Sequence, residues 1–239
     1  MTLIVDEVML REPNLLVPGK KPVGPVKFNP DFPYKVDAMV LYESSPKVIA
    51  GSNISANYVN LSANSINGFY NNIGADMGGS SYGYSNQDLS TVMNSHGNTG
   101  TIIVHYYVKD TLPLNTPIFW GTRLTFYKLA SGNANNRIGG VFWSEITTSA
   151  FDIGHHILVL SWGGPLNKER YLYVDGKFEN STDNDGVTGA DYASIDIPRY
   201  DGGNSTKRHY YSFSYFRETL PGNLCLSLSL DPYQILIPA

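Results

Sequence analysis

Charge, cysteine, helical patterning and long apolar runs are all scarce in this chain, and each scarcity excludes something. Of its 239 residues only 16% are charged, against a usual share of roughly 25%. That excludes a disordered tail of the charged kind and a long surface helix laced with Glu and Lys. The 17 basic and 21 acidic residues leave a net charge of -4. No Lys/Arg run exceeds two residues, so a nucleic-acid backbone is not an expected partner. The single cysteine, Cys225, excludes an internal disulfide and a Cys-based zinc cluster. Its setting, Leu224-Cys225-Leu226, reads as a small buried apolar side chain. No apolar stretch approaches the ~20 residues of a membrane helix. The opening Met1 to Glu7 has no basic segment leading into a long apolar one. A soluble protein made in a reducing compartment is therefore the expectation.

What is abundant is aromatic and turn-forming. Aromatic residues make up 13%, with 17 Tyr, and there are 23 Gly and 14 Pro. Aromatic and β-branched runs between frequent turn formers predict an all-β protein. Thr101 to Val108 is β-branched and aromatic throughout, and Pro117 to Gly121 and Arg123 to Leu129 read as the next pair of strands. His156 to Trp162 is an unbroken apolar run, as in a strand covered on both faces. Arg170 to Val174 alternates and leads into Asp175-Gly176, the pair favoured by a type I′ hairpin turn. Strands spaced by short turns imply a two-sheet antiparallel sandwich or jelly roll.

Two regions depart from that pattern. Residues 1–36 hold six of the prolines yet also carry Leu15, Leu16, Val17, Val23 and Phe28. Proline favours an extended chain there, either packed on its own domain or lying as an assembly arm on a neighbouring subunit. The predicted division is an arm over 1–36 and a sandwich domain over 37–239. From Ser52 to Asn98, 25 of 47 residues are Asn, Ser or Gly, with Ile, Phe and Tyr scattered between them. Short strands and long ordered loops fit that composition.

The segment His155 to Trp162, followed by Tyr171-Leu172-Tyr173-Val174-Asp175-Gly176-Lys177, resembles the central hairpin of laminin-G-like domains, which have a concanavalin A-like jelly-roll fold. Gly100 to Val108 and Ile195 to Phe216 look like the matching strands of that family. The ending Asp231-Pro232-Tyr233-Gln234 and the opening Pro13-Asn14-Leu15-Leu16-Val17-Pro18 are similar to motifs of such domains in bacteriophage and prophage proteins. Leu220 to Leu230 departs from the family, which carries acidic residues there. The resemblance implies a concanavalin A-like β-sandwich and a non-enzymatic structural protein of the virion, made in the host cytoplasm. Its partners would be the major capsid protein or tail proteins and further copies of itself. The alternative is a carbohydrate-binding module of a tail fibre or receptor-binding protein, and the third reading is a glycoside hydrolase.

Chemistry is sparse. Retaining glycosidases need two carboxyl groups about 5 Å apart, and in a strand these come from residues two apart. None of the seven Glu has an acidic residue two positions away. Gly79-Ser80-Ser81-Tyr82-Gly83 has the spelling of a Gly-x-Ser-x-Gly elbow but lies in a loop-rich stretch, and His105 and His156, lying within strand patterns, read as hydrogen-bonded structural histidines. Ser181 to Gly186 sets Asp183 and Asp185 at alternate positions before Gly, like the start of a calcium loop, but without the later Glu. A solvated Asx turn is the expectation, so no cofactor is predicted; calcium held by Asp183 and Asp185 is the alternative. For a glycan or a protein partner the predicted contacts are Tyr58, Tyr70, Tyr82, Tyr84, Tyr200 and Asn204, aromatic rings set among small polar residues.

Overall fold

The computed structural model describes residues 21–42, 46–54, 67–70, 74–78, 92, 99–114, 116–121, 124–128, 133–138, 141–142, 146–163, 169–183, 195–196 and 208–239. They form an antiparallel β-sandwich. Its strands are β1 (Val26–Phe28), β2 (Ala38–Tyr42), β3 (Pro46–Val48), β4 (Asn67–Tyr70), β5 (Gly74–Gly78) and β6 (Gly100–Val108). They continue as β7 (Pro117–Gly121), β8 (Leu124–Lys128), β9 (Asn133–Ile138), β10 (Val141–Phe142), β11 (Ile146–Thr147) and β12 (Gly154–Gly163). The last are β13 (Glu169–Val174), β14 (Lys177–Asp183), β15 (Ile195–Asp196), β16 (Arg208–Phe216) and β17 (Leu236–Pro238), with a helix α1 (Gly222–Leu228) between β16 and β17. The large sheet runs β14-β13-β12-β6-β16-β2-β3, with β5 also on β16 and β4 on β5. The smaller runs β10-β9-β8-β7-β15, with β11 on β9.

Strand alternation divides the core in two. Ile102, Val104, Tyr106 and Val108 of β6, with Leu158, Leu160 and Trp162 of β12, turn toward Ile118, Phe119 and Phe126 of the smaller sheet. Ile103, Ile157 and Val159 turn the other way, against Cys225 and Leu228 of α1 and Tyr233, Ile235 and Leu236 of the tail. Both faces of β12 are therefore covered, which is why its sequence does not alternate. The close approach at Gly100 needs glycine, because a Cβ there would sit 2.5 Å from Trp162 Cζ2.

Two features go beyond the sequence expectation. The first is α1, which forms within a stretch of period-two leucines from 224 to 230. Pro221 precedes it, and its buried residues are Cys225 and Leu228, three apart, so helical packing under the large sheet decides the conformation. Cys225 is fully buried as expected, and burial pushes its thiol up to about 12.

The second is the packing of the predicted arm. Val26 to Phe28 pairs with Pro238 to Leu236 as a two-stranded antiparallel ribbon. Asn29 N donates to Ile235 O at 2.9 Å, and Ala239 N donates to Pro25 O at 2.9 Å. Val26 and Val36 are buried, and Phe28, Phe32 and Tyr34 pack on the second core. The predicted division at 36/37 cuts through this packing, and Phe28 packs on its own domain, the first of the two readings for the arm. The prolines flank the three-residue strand without interrupting it, so they cost no ladder bond. Val23 is 81% exposed. Leu15, Leu16 and Val17 lie outside the described residues.

Candidate functional site

The turn between β13 and β14 organises one end of the large sheet. Asp175 and Gly176 have φ of 51° and 74°, both positive, as a type I′ turn requires. The Asp175 carboxylate works back across the hairpin. Oδ1 accepts from Ile157 N at 2.7 Å, and Oδ2 lies 2.7 Å from His156 Nδ1. The other ring nitrogen, Nε2, faces the carbonyl of Asp152 at 2.8 Å. Both neighbours are acceptors, so both nitrogens carry hydrogen and the buried ring is an imidazolium. Burial by itself lowers its basicity, but the bonds to Asp175 and Asp152 outweigh burial, and its pKa is raised. With Nε2 committed to a backbone carbonyl, this His-Asp pair is a structural clamp and cannot serve as a base for a nucleophile. A second tie reaches α1: Gly176 N donates to Ser229 Oγ at 3.1 Å, and that hydroxyl donates to Leu226 O at 2.8 Å.

Beside the clamp, the face of the large sheet that carries the second core changes character. The cover of α1 and the tail stops at Tyr233, and polar aromatic rings follow. The register sets His155 of β12 opposite Tyr107 of β6, and Tyr107 opposite His209 of β16. Ring centroids lie 4.8 Å apart for Tyr107 and His155, 5.5 Å for His155 and Tyr211, and 6.2 Å for Tyr107 and His209. His105 lies beneath, 4.7 Å from the Tyr211 ring, with its Nδ1 3.0 Å from the Tyr233 hydroxyl. Burial, and after it the nearby His155, push His105 down to about 3, so it is an uncharged packing ring. Burial, and after it Tyr107, also raise the Tyr211 phenol, which keeps its proton. His155 is exposed, while Tyr107, His209 and Tyr211 are half-buried. The result is a shelf of ring faces with hydroxyl and imidazole edges. Such a surface can stack on an apolar ring face and exchange hydrogen bonds with the groups around its rim.

No family model matches the chain, and no curated protein matches it. Solved structures do. A Trypanosoma rangeli sialidase in complex with sialic acid matches 84% of this chain at 14% identity and TM-score 0.58, over 33% of its own length. The same sialidase with 2,3-difluorosialic acid, a covalent intermediate, matches 83% of this chain at 15% identity and TM-score 0.60, again over 33% of its length. A Ruminococcus gnavus IT-sialidase CBM40 matches 63% of this chain at 12% identity and TM-score 0.46, over 94% of its own length. The likeness is one of fold. The chain spans about a third of the length of those sialidases.

The predicted contact residues fall mostly elsewhere. Tyr70 ends β4, which pairs with β5, and β5 lies on β16 with Asp76 opposite His209. Tyr70 is thus two strands from β16, at the shelf end of the sheet. Tyr58, Tyr82, Tyr84, Tyr200, Asn204 and Asp185 lie outside the described residues. Asp183 is the last residue of β14, opposite Glu169 of β13. Among the described residues no group of three or more His, Cys, Asp or Glu is placed to hold a metal ion. No described helix is long and apolar enough to cross a membrane. His156 is buried and hydrogen-bonded, as predicted for a structural histidine. The shelf residues Tyr107, His155, His209 and Tyr211 were not among the sequence candidates. Their signal was His-x-Tyr at 105–107 and again at 209–211, polar rings at alternate positions in otherwise buried strands.

Proposed function

We propose that this sandwich is a non-catalytic carbohydrate-binding module that holds a glycan on the shelf of Tyr107, His155, His209 and Tyr211. The observation that carries the reading is that shelf: exposed and half-buried aromatic rings, packed against one another and so held in place, where the sheet's apolar cover ends. Rigid rings bind with little loss of side-chain freedom. A sugar presents an apolar C–H face to such rings and hydroxyls to the imidazole and phenol edges. The fold shared with the sialidases is compatible with this reading and adds nothing on substrate. The terminal motifs imply a virion as the setting, with the module on a tail fibre or receptor-binding protein. A capsid or tail assembly role is the rival.

The test is a glycan array on the purified chain, followed by calorimetry with the best ligand on Tyr107→Ala and Tyr211→Ala. Each lost ring contact should weaken binding by on the order of tenfold while the fold persists by circular dichroism. Failure to bind any glycan, or alanine variants that bind as tightly as the parent, would refute the module. Release of free sugar from the bound glycan would refute its non-catalytic character.

A further inference from the structure

The shelf adjoins a hollow of about 250 Å³ lined by His155, Ile157, Asp175, Ser229 and Leu230. The His155 ring is common to both, so a glycan lying on the shelf reaches the hollow with its next sugar. We infer that the hollow receives a neutral sugar through that sugar's hydroxyl donors and excludes an acidic one. This rests on the glycan reading above and deepens it by naming the ligand class.

The hydrogen count of the clamp carries the inference. The Asp175 side chain is about a third exposed. Each carboxylate oxygen already accepts one hydrogen, from Ile157 N and from His156, and the remaining lone pairs are left for solvent or ligand. The Ser229 hydroxyl spends its hydrogen on Leu226 O, and Gly176 N spends its own on Ser229 Oγ. Both hydrogens of His156 are likewise committed, to Asp175 and to Asp152 O. The His156 charge offsets that of Asp175, yet none of these hydrogens is left to offer. A sugar hydroxyl entering the hollow can donate to Asp175 or Ser229. An entering carboxylate would shed hydration with the His155 imidazole as its one donor group and otherwise meet acceptors, which is the costly case for an ion. Ile157 and the 58% exposed Leu230 supply apolar walls for the ring itself.

The experiment is calorimetry on the intact chain with matched probes. Lactose and N,N′-diacetylchitobiose are the neutral pair; 3′-sialyllactose and a hyaluronan disaccharide are the acidic pair. At least one neutral probe should bind on the order of tenfold tighter than either acidic one. Leu230→Trp, at an exposed position, fills the hollow and should erase that preference without lowering the melting midpoint. Acidic probes that bind as tightly as neutral ones would overturn this inference and leave the glycan reading standing. A preference unchanged in Leu230→Trp would move the selectivity out of the hollow and overturn it as well. If none of the four probes binds, the hollow does not receive a neutral sugar and this inference is overturned, while the glycan array alone decides the reading beneath it.

Discussion

Replacing His156 with Gln tests the clamp, because Gln keeps much of the volume but carries no charge and offers one donor-bearing nitrogen in place of two. The native imidazolium makes one bond to a carboxylate and one to a carbonyl. Hydrogen bonds to charged groups contribute about 1.5–3 kcal/mol each. Asp175 is a third exposed and regains water when its partner goes, so the net loss should be about 2 kcal/mol. For a chain of this size that lowers the melting midpoint by about 6 °C. The pH dependence gives the sharper reading. The pKa of His156 is raised on folding, so its contribution is fully present below the unfolded value of 6.5 and is lost as pH rises through the folded value. His105 acts on the other limb. Its pKa is lowered from 6.5 to about 3, so its contribution is fully present above 6.5 and is lost as pH falls below it. At about 1.36 kcal/mol per pH unit, the cost is about 2 kcal/mol by pH 5. The parent should therefore be most stable near pH 6.5 and decline on both sides. His156→Gln should flatten the alkaline limb, and His105→Gln the acid one, in urea titrations followed by circular dichroism between pH 5 and 9.5. A parent more stable at pH 9 than at 6.5, or an alkaline limb unchanged in His156→Gln, would refute the imidazolium.

Gly176→Val should destabilise by about 3 kcal/mol, since a β-branched residue resists positive φ and its Cβ would meet Leu230; an unchanged melting midpoint would contradict the type I′ turn. Deleting residues 1–33 removes β1 together with Phe28 and Phe32, and should lower the midpoint by more than about 5 °C. A truncated chain that melts like the parent would instead make the segment dispensable to the fold. Chelator should leave the midpoint within about 2 °C, and a larger drop restored by calcium would assign Asp183 and Asp185 to an ion.

The hairpin was legible because its determinants are local. Asp175-Gly176 specifies the turn by its backbone preference, and the unbroken run of β12 reports that both its faces are covered. Helix α1 was not legible, because Leu224, Leu226, Leu228 and Leu230 alternate like a strand and only the sheet beneath them selects Cys225 and Leu228 as the inward pair. The ribbon of β1 and β17 joins residues more than 200 positions apart, and three-residue strands with prolines beside or within them leave no periodic signal. The shelf escaped for a related reason. Whether His155 and Tyr211 are covered depends on where a remote tail ends its path over the sheet, and no neighbour in sequence encodes that.

The ribbon also fixes how the domain answers to pulling. The chain enters and leaves it at the same end, where Val26 faces Pro238 and Ala239 N bonds Pro25 O. Tension that separates the two ends does not shear the ladder, with all rungs sharing the load. It opens the ladder as a zip, so the Ala239–Pro25 bond bears the force alone and each rung inherits it in turn. This corner should yield at low force, uncovering Phe28 and the edge of the second core while the β6, β12 and β16 ladders hold. A tether pulled at both ends would lengthen here first, well before the shelf on the large sheet lost its shape.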